Sequence, residues 1–157
     1  MQSGIIYKEM AKSGQDLLAA TKILQEGDLV AIPTETVYGL AANAYNADAV
    51  VKIFEVKNRP SFDPLIVHVY GLDRAEEIVT HIPDKAIKLA SRFWPGPLTI
   101  LLKKKSIIPD IVTSGLDTVA VRIPRHPITL NLLKSLPFPL AAPSANPQVP
   151  IRPMPTI

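Results

Sequence analysis

Thr34-Glu35-Thr36 follows the apolar run Leu29-Val30-Ala31-Ile32 and a proline, with Tyr38-Gly39 close behind. Two hydroxyls, a carboxylate and a phenol thus gather at the end of a core strand. In α/β sheets that is where ligands bind, in the crevice beyond the strands' carboxyl ends. The same pattern recurs at Lys57-Asn58-Arg59, at His68 inside Leu65-Ile66-Val67-His68-Val69, at Arg122 in Thr118-Val119-Ala120-Val121-Arg122-Ile123, and at Ser144-Ala145-Asn146 after Ala141-Ala142-Pro143. Polar groups repeatedly placed at the ends of apolar strands predict convergence on one site.

Each group also has a bland reading. Lys57 and Arg59 flank Asn58 in a predicted loop, where both cations can turn toward one polyphosphate; an isolated pair of this kind is ordinarily a solvated basic turn. Arg122 shares a strand face with Ala120, opposite Val119, Val121 and Ile123. A guanidinium there needs a partner, because an uncompensated buried charge costs several kcal/mol, roughly. That partner is a protein carboxylate or a ligand carboxylate, and spacing leaves both open. His68 in an apolar strand reads as a hydrogen-bonded core histidine. No second histidine or carboxylate lies at ligand spacing from it, which argues against a tight protein-only metal site. Ser144 and Asn146 can donate to a phosphate or a base edge, but both are also common turn residues. No GxSxG elbow, GxGxxG or GxxxxGK[ST] loop is present, which counts against a serine hydrolase and the commonest nucleotide-binding loops. His81 and His126 adjoin prolines and read as surface positions, and Lys103-Lys104-Lys105 reads as a solvated turn with RNA contact as a lesser alternative.

The elements that must position these groups follow from periodicity. Helical spacing covers 16–24, closed by Gly27 as a C-cap glycine. Asp48 is the expected cap of a helix over 49–56, and Pro60 and Pro64 make 57–64 a loop. Short strands are expected at 28–33, 65–69, 98–102, 118–123 and 140–142, with helices near 72–79 and 84–93 and another opened by Pro127. Helices alternating with short apolar strands predict an α/β fold, with a sheet covered by helices on both faces.

Composition bounds the rest. The 157 residues, with 47% hydrophobic side chains, suffice for one domain spanning 1–157. Absence of cysteine excludes disulfides and thiolate chemistry and suits a cytoplasmic location. There is no apolar run of membrane-spanning length and no secretory signal pattern, so no membrane association is expected. A formal charge of +3 permits an anionic partner without demanding one. Seven of the sixteen prolines fall within 137–157, and PQVPIRPMPTI offers no element that would close a domain. The expectation is a domain incomplete at its C-terminus.

PTETVYGL, KNRP with PLIVH close behind, FWPGPLT, TVAVRIP and APSAN occur here in one order that resembles the threonylcarbamoyl-AMP synthase (YrdC-type) family, from about residue 15 to 146. The resemblance implies a twisted, open mixed sheet around a large basic concave pocket. It implies a nucleotidyltransferase that converts L-threonine, bicarbonate and ATP, with Mg2+ carried by the nucleotide, to threonylcarbamoyl-AMP and pyrophosphate. A downstream threonylcarbamoyl transferase would then modify the adenosine beside the anticodon of certain tRNAs. By motif, Thr36, His68 and Arg122 would hold threonine, with Ala142 contributing its backbone and Thr34 nearby. Lys57, Arg59, Thr118, Ser144 and Asn146 would hold ATP, with Asp63 as a further candidate. Lys57 and Arg59 would stabilise the charge developing on the phosphates, so no protein nucleophile is needed. Arg152 in RPMPT is similar to a basic ATP contact, although Met154 stands where the family pattern has serine. The alternatives are a non-catalytic module that binds tRNA or double-stranded RNA, an inactive shortened relative, and a carbamoyl-adenylate-forming domain of hydrogenase-maturation type.

Overall fold

The computed structural model describes residues 16–35, 38–60 and 63–143. Asp16 accepts from the Ala19 amide at 3.3 Å and starts helix α1, Leu17–Gln25. Gly27, at φ +88°, ends it in the left-handed region that a side chain resists. Strands β1 (Val30–Ile32) and β2 (Gly39–Asn43) form an antiparallel pair, and helix α2 (Ala47–Lys57) follows. Its cap is Asn46, whose Oδ1 accepts from the Asp48 and Ala49 amides at 3.0 and 3.2 Å. Asp48, expected as the cap, lies instead in the first turn, where its charge still favours the helix N-terminus.

The remaining elements are β3 (Ile66–His68), α3 (Leu72–Ile78), α4 (Asp84–Phe93), β4 (Ile100–Lys103), α5 (Asp110–Thr113), β5 (Thr118–Arg122), α6 (Pro127–Ser135) and β6 (Leu140–Ala142). The six strands form one sheet in the order β1-β2-β6-β3-β5-β4. β3 and β5 run parallel and the other neighbours antiparallel, so the sheet is mixed as expected.

The two faces are covered unequally. Leu40, Ala42, Val67, Val119, Val121 and Leu102 pack beneath α2, α3, α4 and α5. On the opposite face, Val30, Ile32, Ala41, Leu140 and Ala142 pack beneath α1 and α6. Those two helices cover the β1-β2-β6 half. The row Ile66, Ala120 and Leu101, joined by direct register, continues that face outward. Ile66 and Ala120 are half-buried and Leu101 is 67% exposed. This half of the face is therefore less covered than the β1-β2-β6 half.

Candidate functional site

The floor is fixed by backbone pairing. β3 and β5 place His68 directly beside Arg122. Alternation along β5 puts Arg122 on the open face while Val119 and Val121 enter the core, as expected from the sequence. Both polar residues are nonetheless buried, at 3% and 5% exposure. Their cover comes from two loops.

One loop is the 94–99 connection. Gly96 accepts from Arg122 Nε at 2.9 Å, and its own amide donates to the Ile123 carbonyl at 2.8 Å. A Cβ at Gly96 would stand 2.6 Å from the Phe93 carbonyl oxygen, so only glycine fits this approach. The other loop joins β1 to β2. Thr129 of α6, fully buried, donates to the Pro33 carbonyl and pins its start. Further along, Glu35 Oε1 lies 2.9 Å from Arg122 Nη2 and accepts from the Arg125 amide at 3.3 Å. The partner left open by the sequence is therefore an internal carboxylate. The contact is a close charge pair at hydrogen-bonding distance.

A small cleft, open to solvent, is lined by Ile32, Thr34, Tyr38, Gly39, Ile66, His68, Arg122, Ala142 and Pro143. Thr34, His68, Arg122 and Ala142 thus line one cleft. His68 is pushed down to about 4, chiefly by burial and then by the Arg122 charge, against backbone hydrogen bonds at Leu140 and Ile66 and the charge of Glu35. It is a neutral imidazole at neutral pH, and its Nδ1 is buried without a partner. The core-histidine reading holds for burial but not for full satisfaction. Partial burial pushes the Glu35 carboxyl up, yet hydrogen bonds from its own and the Arg125 amides, with the charge and the side-chain hydrogen bond of Arg122, outweigh this and hold it below the ordinary value.

The nucleotide candidates sit elsewhere. Lys57 is the last residue of α2 rather than a loop residue, and it is exposed. Asn58 follows at φ 54°, and the Arg59 amide donates to Phe54 while the Asn58 amide donates to Glu55, an αL helix ending that reverses the chain. The Arg59 side chain is buried: Nη2 donates to the Pro64 carbonyl at 3.3 Å, and Nε lies 3.9 Å from Asp63. Burial lowers the Arg59 pKa, and the Asp63 charge opposes that shift. Thr118 opens β5, at the end opposite Arg122. Hence only His68 and Arg122 occupy carboxyl ends of parallel strands, whereas Arg59, Asp63 and Thr118 stand at the amino ends. Five residues of strand separate the two groups by about 13 Å. β6 runs antiparallel to β3, so Ala142 and Pro143 lead the chain toward the amino-end group. Thr36, Ser144, Asn146 and Arg152 lie outside the described residues.

Sequence reasoning assigned no role to Glu35, Gly96, Arg125 or Thr129. Glu35 stood in the motif that raised the question, but its partner is distant along the chain. The lysine run is structural in part: Lys104 bonds the Ile108 carbonyl at 2.8 Å and pairs with Asp110 at 3.1 Å, and Lys105 bonds the Glu76 carbonyl at 3.0 Å. His81 is exposed as expected, but half-buried His126 caps α6 through Nδ1.

The described residues define an open mixed α/β protein with a cleft at the boundary between the covered and open halves of one sheet face, where Thr34, His68 and Arg122 meet. A family profile for Sua5, YciO and YrdC proteins, described as telomere recombination, matches residues 22–156. The chain belongs to this family. A threonylcarbamoyl-AMP synthase of Pyrococcus abyssi is 53% identical over 127 residues, covering 81% of this chain and 37% of that protein. One of Bacillus subtilis is 47% identical over 142 residues, covering 90% of this chain and 41% of that protein. The crystal structure of P. abyssi Sua5 complexed with L-threonine superposes with a TM-score of 0.81 at 50% identity, over 85% of this chain and 39% of that one. The chain spans about two fifths of the length of these relatives.

Proposed function

We propose that this chain forms the adenylate-synthesising core of a threonylcarbamoyl-AMP synthase, with L-threonine, bicarbonate and ATP as substrates. The observation that supports this reading best is the register-paired His68 and Arg122 in a cleft shared with Thr34 and Ala142. A guanidinium and a neutral imidazole side by side suit an amino-acid carboxylate, and a relative of the same fold binds L-threonine. ATP is assigned to Lys57, Arg59, Asp63 and Thr118, together with Ser144, Asn146 and Arg152, and Thr36 joins the threonine set. A separation of about 13 Å between the two groups suits an amino acid joined to a nucleotide.

The chemistry asks little covalently of the protein. Threonine's amine and bicarbonate give a carbamate and water; a carbamate oxygen then attacks the α-phosphorus as the bond to pyrophosphate breaks and pyrophosphate leaves. The chain's contribution is to align carbamate and phosphate and to offer cations where negative charge grows. Among the described residues no three His, Asp or Glu side chains cluster as metal ligands, and Asp63 is turned toward Arg59. The donor set fits Mg2+ arriving on the ATP phosphates, where it would neutralise charge, rather than a resident ion. The product would pass to a threonylcarbamoyl transferase acting on tRNA. No described helix is long and apolar enough to cross a membrane, and we assign the protein to the cytoplasm. Pyrophosphate release that requires both threonine and bicarbonate tests the activity; no release at any magnesium concentration refutes it for this chain. Salt-sensitive tRNA binding without threonine-stimulated ATP binding would favour the RNA-module alternative.

A further inference from the structure

Among the described residues, Gly39 is the one glycine inside a strand. A strand glycine has no side chain to pack and weakens the strand. It ordinarily marks a bulge, a backbone that comes close, or a ligand that does. The first two are absent here. The β1–β2 register runs unbroken through Val30–Ala41, Ala31–Leu40 and Ile32–Gly39, so there is no bulge. Beyond its own chain neighbours, no backbone atom lies within 4 Å of the place a Cβ would take. That Cβ would instead meet Ala142 Cβ at 3.5 Å and Ile32 Cγ1 at 3.9 Å. Both are ordinary contacts, and φ at Gly39 is outside the left-handed region, so the fold accepts alanine.

The side chain that Gly39 lacks would stand in the cleft. Gly39 lines it with Ile32, Ile66 and Ala142, an apolar wall, while His68 and Arg122 form a polar end. Register fixes their separation: Ala142 stands beside Ile66, two residues along β3 from His68, which is about 7 Å. We propose that Gly39 is the size filter of this cleft, its absent side chain leaving room against Ala142 for the side-chain methyl of the bound amino acid. The proposal rests on the reading above that the cleft takes L-threonine. An amino acid whose carboxylate meets the Arg122 guanidinium spans that interval with its own side chain. Of the groups threonine carries, the methyl suits an apolar wall, whereas the amine must stay free to form the carbamate. In so small a cleft, one carbon decides what fits.

The test compares the wild-type chain with Gly39→Ala. Alanine should raise Tm by about 1–4 °C, because the unfolded chain loses freedom while the strand gains a contact. At the same time L-threonine should bind about tenfold or more weakly by calorimetry, whereas L-serine, which lacks the methyl, should change less than about threefold. A role in the fold alone would not couple higher stability to a changed choice between two amino acids. Adding Ala142→Gly to Gly39→Ala removes the carbon opposite and should return threonine affinity to within about threefold of wild type. A lowered Tm or a failure to fold in Gly39→Ala makes glycine a requirement of the strand and overturns the proposal. So does an unaltered threonine-to-serine ratio in a chain whose wild type binds threonine. In that case the threonine reading stands and only the size filter falls. A wild type that binds neither amino acid sinks the threonine reading, and this proposal with it.

Discussion

Replacing Arg122 by methionine separates the stability of the cleft from its recognition chemistry. Methionine retains much of the buried stem, so cavity formation is limited. Two polar losses remain. The Gly96 carbonyl loses its donor from Nε, at about 1–2 kcal/mol for a buried acceptor. Glu35 loses its cation; a fully buried pair broken on one side costs about 3–5 kcal/mol, but Glu35 is 22% exposed and keeps the Arg125 amide, so about 1 kcal/mol is the fitting share. The expected destabilisation is about 2–3 kcal/mol by urea unfolding. Adding Glu35→Gln removes the stranded charge, so the double variant should regain about 1 kcal/mol, a coupling that a double-mutant cycle reads directly. Threonine affinity should fall about 30-fold or more, since the carboxylate loses a charge-assisted partner worth about 2 kcal/mol, while ATP affinity stays nearly level. Stability within about 0.5 kcal/mol of wild type with unaltered threonine binding would refute the reasoning. Equal loss of both ligands would make Arg122 a scaffold residue only.

Lys57→Ala should weaken ATP binding about five- to tenfold and leave threonine unaffected, because an exposed ammonium at a helix end has no structural partner to lose among the described contacts; unchanged ATP affinity rejects its phosphate role. His68, held near 4 against an ordinary 6.5, binds fewer protons folded than unfolded between those values. Its contribution is therefore complete above about pH 6.5 and is lost as pH falls toward 4, amounting to roughly 3 kcal/mol across the window. His68→Asn should flatten that part of the stability–pH curve; an unflattened curve places the titration elsewhere. Thr129→Val removes the donor to the Pro33 carbonyl and should lower Tm by about 3–6 °C, seen by calorimetry.

The sequence revealed most elements because their signals were local. Leu17–Gln25, Asp84–Phe93 and Thr118–Arg122 follow plain apolar periodicity, and Gly27 ends its helix as expected. β2 was missed because Gly39-Leu40-Ala41-Ala42-Asn43 has no β-branched or aromatic residue; it is a strand because β1 and β6 pair with it on either side. Asp110–Thr113 is a single turn after Pro109, below the length at which periodicity speaks. In the site, alternation along β5 correctly faced Arg122 away from Val119 and Val121. Local pattern does not reveal Glu35 as its partner, nor that His68 stands directly beside it across β3 and β5. Those facts follow from strand order, which depends on long-range pairing.

Because imidazole and guanidinium are neighbours through a parallel ladder, their spacing is set by main-chain geometry and is indifferent to the length of what joins them. Insertions in the exposed turn between α3 and α4, at residues 81–83, should be tolerated with the cleft floor unaltered. One residue added between Ile66 and His68 would be another matter: it would turn the imidazole into the opposite core and leave an aliphatic group beside Arg122. Engineering that grafts new loops onto this scaffold has freedom between the strands and almost none inside them.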